Sequence, residues 1–142
     1  MDVIPLVKEL AKDPSPQVRR DCAIALRHNT SDEAPKVWAK LAQQHDGKDR
    51  WYLEALGIGA DKQEDKFFDA WLAVAGDKWN APGSRDIVWR SRCRKAAALL
   101  GKLATSKDVV ESDKARYVRA LDYIKGPEKE AALLEIATSG LN

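Results

Sequence analysis

Arg85, Arg90, Arg92, Arg94 and Lys95 form the densest basic cluster of the chain, offset only by Asp86 and interleaved with Trp89. Cationic groups beside an aromatic ring can hold phosphates and stack on a base, so the first chemistry to weigh is nucleic-acid binding. On one unbroken helix these residues share no stripe. At about 100° per residue, Arg90 lies about 140°, Arg94 about 180° and Arg92 about 340° from Arg85. A common patch therefore needs a break near Cys93. A basic run of this kind is more commonly a solvated face or a protein contact. Trp79 is the second candidate, in the Gly/Pro-flanked segment 76–84, which reads as an inserted loop. A loop tryptophan is a ready interaction anchor. It can equally fold back and fill a poorly formed helix pair.

Other reactive residues do not assemble into a pattern. Cys22 and Cys93 are too few and too far apart for a disulfide framework or a zinc site, and read as small apolar residues on helix faces. His28 and His45 fall near helix ends, where they suit the macrodipole, and neither has a second ligand at i+4. Gly57-Ile58-Gly59 lacks the preceding strand and third glycine of a dinucleotide loop. No paired carboxylates, metal cluster or activated nucleophile is legible. The expectation is a non-catalytic chain without a cofactor.

The 142 residues are 44% hydrophobic and 32% charged, which fits one globular domain rather than a disordered tail. No apolar run approaches the length of a membrane span, and the start, Met1-Asp2-Val3-Ile4-Pro5, lacks the features of a signal peptide. A cytoplasmic location is expected for the chain as given. The net charge of +2 is unevenly spread: residues 1–71 carry 11 Lys/Arg against 13 Asp/Glu, and residues 72–142 carry 13 against 9. That mildly favours an acidic partner at the C-terminal half.

The elements that must position these residues follow from an internal repeat. Leu10-Ala11, Leu41-Ala42, Leu72-Ala73 and Leu103-Ala104 recur every 31 residues, each late in an amphipathic helical segment. Asp46, Asp77 and Asp108 keep the same spacing, with Asp13 close to register, where an aspartate can cap a helix or bond turn amides. A second helix set, clearest at 18–28, 51–60 and 114–124, shares Ala25-Leu26, Ala55-Leu56 and Ala120-Leu121, preceded by Arg20, Arg50 and Arg116. Its third copy, near 87–92, looks short and atypical. Pro16, Pro35 and Pro127 suit first turns, and Gly47, Gly76, Gly126 and Gly140 suit helix ends. The repeats fall at 2–28, 33–60, 63–92 and 94–124, with a terminal helix at 127–139.

At Asp13-Pro14-Ser15-Pro16-Gln17-Val18-Arg19-Arg20-Asp21-Cys22-Ala23-Ile24-Ala25-Leu26 the chain resembles HEAT repeats, and the short period resembles their phycobilisome-lyase type. The resemblance implies an all-α, right-handed α-solenoid of about four helix pairs plus a C-terminal helix, with function on an open face of the stack. It also implies a structural ladder in which Arg19 or Arg20, Arg50 and Arg116 bridge to the turn aspartates Asp13, Asp46, Asp77 and Asp108 of neighbouring repeats. The strings at 46–61, 87–92 and 116–122 more distantly resemble the repeat region of large bacterial proteins that join a propeller domain to a c-type haem module. That likeness implies a docking or spacer role outside the cytoplasm. No Cys-x-x-Cys-His is present to carry haem chemistry.

A protein-interaction or scaffolding module is thus the leading expectation. A nucleic-acid-binding protein that uses the basic C-terminal half is the alternative. Trp79, Arg85, Trp89, Arg90, Arg92 and Arg94 are the candidate contact residues. End-to-end self-association is a further expectation, if the terminal helix leaves an apolar face open.

Overall fold

The computed structural model describes residues 2–140, and among these there is no strand. The α-helices are α1 (Ile4–Leu10), α2 (Pro16–Ala25), α3 (Ala34–Gln43), α4 (Arg50–Gly59), α5 (Glu64–Ala75), α6 (Pro82–Arg90), α7 (Ala96–Thr105), α8 (Glu111–Ala120) and α9 (Pro127–Ser139). A 3-10 turn at Gly76–Asn80 follows α5, and another at Leu121–Tyr123 follows α8.

Local chemistry sets the helix starts. Ser15 caps α2 by accepting the Val18 N–H at 3.4 Å, with Pro16 at the first position, where a missing N–H costs nothing. Asp49 caps α4 through the Tyr52 N–H at 3.0 Å. The turn aspartates before them organise the corners. Asp13 Oδ1 accepts the Ser15 N–H at 2.8 Å, and Asp46 Oδ1 accepts the amides of Lys48 at 2.8 Å and Asp49 at 3.0 Å. Gly126 enters α9 at φ +115°, a conformation L side chains avoid.

Two segments differ from the sequence reading. Only 76–81 of the expected loop at 76–84 lies outside the α-helices, and 76–80 is itself a 3-10 turn. Pro82 then opens α6, and the Arg85 N–H closes its first turn on the Ala81 carbonyl at 3.0 Å. The third member of the second helix set is therefore a nine-residue helix that starts earlier than expected.

The chain divides into two compact units, Met1–Ile87 and Val88–Asn142, with the boundary inside α6. In the first, α3 packs on α5, α2 on α4, and α1 against both α2 and α3. Trp38 centres this core: its indole N–H donates to the Leu56 carbonyl at 2.9 Å, and its ring meets Phe67 at 5.7 Å. Leu41, Leu56, Phe67, Phe68 and Trp71 are fully buried around it. In the second unit α7 packs on α8 and α9, with Leu100, Leu103 and Leu121 buried. Gly101 lets α9 approach, since a Cβ there would stand 3.4 Å from that of Ala132.

The recurring Leu-Ala pairs are not equivalent in depth. Leu41-Ala42 and Leu103-Ala104 are buried, whereas Leu10 and Leu72 are half-buried and Ala73 is exposed.

Candidate interaction surfaces

The basic cluster is interrupted as its chemistry would require. α6 ends at Arg90, α7 begins at Ala96, and Arg92 between them takes the left-handed φ of +49°. The freed side chains turn to partners inside the chain. The Arg92 guanidinium lies 4.1 Å from the Tyr123 ring centroid, and Arg94 Nε is 3.1 Å from Glu128 Oε2. Trp89 is half-buried under the guanidinium of Arg116, 4.1 Å from its ring centroid. Arg90 is half-buried. Arg85 belongs to the first unit, where its Nε donates to the Asn80 carbonyl at 2.9 Å and to Asn80 Oδ1 at 3.0 Å. These bonds fasten Arg85 to the 3-10 turn that carries Trp79, itself half-buried.

Two of the ladder arginines reach beyond their own corners. Arg19 donates to the Asp13 carbonyl at 2.8 Å and the Pro14 carbonyl at 3.1 Å, and its guanidinium stands 5.6 Å from the Tyr52 ring. Arg19 therefore grips main chain beside the turn aspartate. Arg116 stacks on Trp89. Arg50, Asp46, Asp77 and Asp108 are exposed. Other residues add contacts at offsets of 33 or 34, as Arg19 and Tyr52 do. Gln44 donates to the Ala11 carbonyl at 3.0 Å, Gln63 to the Asn29 carbonyl at 3.0 Å, and Arg27 Nη2 to Asp61 Oδ2 at 3.0 Å. Arg94 with Glu128 repeats that 34-residue offset in the second unit.

Several of these carboxyls are held below their ordinary range. The Arg27 hydrogen bond does this for Asp61, with help from His28; the Lys8 and Lys36 hydrogen bonds do it for Glu33; and backbone amides do it for Asp46. For Glu128 its own backbone N–H leads and Arg94 adds to it.

Sequence reasoning overlooked two features. Trp51 lies on a helix, as the buried Trp38 and Trp71 do, but it is 68% exposed. Ile58, two turns along α4, is 39% exposed, and Ile24 on α2 is 43% exposed. Ile24 and Ile58 are separated by the same 34 residues as Arg27 and Asp61, so they hold corresponding positions on two helices that pack together. The signal available was the i, i+7 spacing of Trp51 and Ile58, which core and surface stripes share.

The other feature is a buried histidine. The His45 side chain is 2% exposed, with Nε2 2.9 Å from Asp86 Oδ2 and the ring stacked on Tyr52 at 6.1 Å and 11°. The Tyr52 hydroxyl donates to the Leu41 carbonyl at 2.6 Å, and burial raises its pKa. His45 and Asp86 are 41 residues apart, beyond the reach of any local motif.

Among the described residues, no group of three or more His, Cys, Asp or Glu side chains is placed to hold a metal ion. No described helix is long and apolar enough to cross a membrane. The chain matches no family model, no curated protein and no solved structure.

Proposed function

We propose that this chain is a non-catalytic helical-repeat module of HEAT-like type that docks a protein partner on the solvent face of α2 and α4, with Trp51 as the anchor. The observation that carries the reading is Trp51, 68% exposed beside the exposed Ile58. A large aromatic surface held in water by a well-packed helix loses hydration cost when a partner covers it, and tryptophans of this kind dominate interface energetics. The solenoid reading draws support from the helix starts at Ile4, Ala34, Glu64, Ala96 and Pro127, which keep a near-constant period. It draws further support from the stacking of α3 on α5 and α2 on α4. The nucleic-acid alternative loses ground because Arg92, Arg94 and Arg116 spend their cationic groups on Tyr123, Glu128 and Trp89.

The test is affinity capture with wild type and Trp51→Glu, followed by titration of the recovered partner against each. A hot-spot tryptophan is worth roughly 2 kcal/mol or more, about thirtyfold in affinity. Equal affinity for both proteins overturns the assignment of the face. Tight duplex-DNA binding that loosens steeply with salt overturns the reading as a whole.

A further inference from the structure

The first unit carries a cleft of about 350 Å³ where α1 meets α3, bordered by Lys8, Ala11, Lys12, Val37, Lys40 and Gln44. Ala11 and Val37, both buried, seal its floor. Its rim is cationic: three lysines border it and no carboxylate does. This is a local reversal of charge, because residues 1–71 hold 11 Lys/Arg against 13 Asp/Glu. Lys8 meets Glu33, which it shares with Lys36. Lys12 and Lys40 are exposed and make no ion pair among the described residues. Like charges gathered without a counter-ion repel one another, and a bound anion relieves that repulsion.

The spacing of the lysines selects among anions. Lys8 and Lys12 lie four residues apart on α1 and the turn that continues it, where the Ala11 N–H reaches the Val7 carbonyl at 2.8 Å. Four helical residues rise about 6 Å. In an extended chain, side chains on one side recur every second residue, about 6.6 Å apart. Carboxylates at alternate positions of such a chain therefore match the two lysines in turn, with Lys40 contributed by α3. Gln44 bounds the cleft as well. Its Nε2 donates to the Ala11 and Lys40 carbonyls at 3.0 and 3.1 Å, which leaves Oε1 to accept a main-chain N–H from a bound segment.

We propose that the cleft between α1 and α3 docks an extended acidic segment of a partner protein, one with carboxylates at alternate positions. Lys8, Lys12 and Lys40 take the carboxylates, and the segment lies over Ala11 and Val37. The site is independent of the Trp51 face on α2 and α4.

A fluorescein-labelled peptide with three glutamates alternating with serine tests the assignment by anisotropy, with the full chain as receptor. Saturable binding is expected, weakening as salt rises. Replacing the glutamates by glutamine abolishes it, and moving them into one contiguous block weakens it. Lys12→Glu with Lys40→Glu, both at exposed positions, weakens binding about tenfold or more, and thermal unfolding verifies that this variant is folded. If it does not fold, Lys12→Gln with Lys40→Gln gives the same reading at smaller amplitude. Trp51→Glu leaves the affinity unchanged, which separates this site from the other face. No saturable binding, binding indifferent to the two lysines or dependent on Trp51, or equal affinity for the contiguous peptide overturns the proposal. Displacement by citrate at the peptide's own concentration also overturns it, since the cleft would then be a small-anion site.

Discussion

Gly59 of α4 lies directly on the main chain of Ala23 in α2: a Cβ at position 59 would fall on the Ala23 carbonyl oxygen and 2.9 Å from its carbon. The obstacle is backbone, which cannot swing aside as a side-chain tip would. In an exposed helix Gly→Ala gains about 1 kcal/mol from helix propensity. Here overpacking, typically about 1–3 kcal/mol, opposes that gain. Gly59→Ala is therefore expected to lower stability, with the urea midpoint moving down and the slope unchanged. An upward shift would mean the two helices do not meet at this point.

Depth separates the two central leucines of the Leu-Ala repeat. Leu41 is fully buried and Leu72 is half-buried. Leu41→Ala should cost about 2–5 kcal/mol, and Leu72→Ala distinctly less. Chemical denaturation of the two variants side by side checks the order, and equal losses would contradict it.

Acid should loosen the contacts between helix pairs. Asp61, Glu33 and Glu128 have folded-state pKa values below their ordinary ones, so the unfolded chain binds protons more readily than the folded chain. Their contribution is fully present above the ordinary carboxylate value of about 4 and is lost as pH falls through the lower folded values. Asp61→Asn should thus unfold more easily than wild type at neutral pH. The two curves should converge in strong acid, and a gap that persists there would assign the effect to packing instead.

Replacing Arg90, Arg92 and Arg94 together by glutamine should leave the protein folded with a modest loss. The exposed Arg94–Glu128 pair is screened by solvent and stabilises little, and the cation–π contact of Arg92 with Tyr123 contributes about 0.5–1 kcal/mol. Thermal unfolding measures the loss. A collapse of the cooperative transition would show that the 91–95 connection is held by these arginines rather than by the buried Cys93, Ala96 and Ala97.

Cys22 should resist alkylation in the native protein. Burial raises the thiol pKa first, and the negative charges of Asp21 and Asp13 add to it. Little thiolate forms near neutrality, and the buried sulfur is shielded from reagent. Mass spectrometry after iodoacetamide treatment should find Cys22 unmodified until denaturant is added. Native labelling at the unfolded rate would refute the burial.

Much of the architecture was legible because helices are written locally. The Leu-Ala period placed α1, α3, α5 and α7, and Asp13, Ser15, Asp46 and Pro16 marked corners whose hydrogen bonds span only two or three residues. The segment 76–84 misled because Gly, Asn and Pro there suit a turn or a helix entry equally, and Pro82 proved to be the entry. The candidate site was harder to read. The arginine ladder was expected to bridge to turn aspartates; Arg19 meets Tyr52 and Arg116 meets Trp89, and Gln44, Gln63, Arg27 and Arg94 add contacts that no local pattern announced.

By itself, then, the sequence determined an all-helical chain, the spacing of its helices and the caps between them, since each depends on residues within a turn or two of one another. Tertiary structure alone decided which side of each helix is covered. That put Trp51 in water while Trp38 and Trp71 were buried, and it brought His45 to Asp86 across 41 residues. An apolar stripe has the same periodicity whether it faces a neighbour or solvent, and a pairing between distant side chains leaves no periodic trace at all.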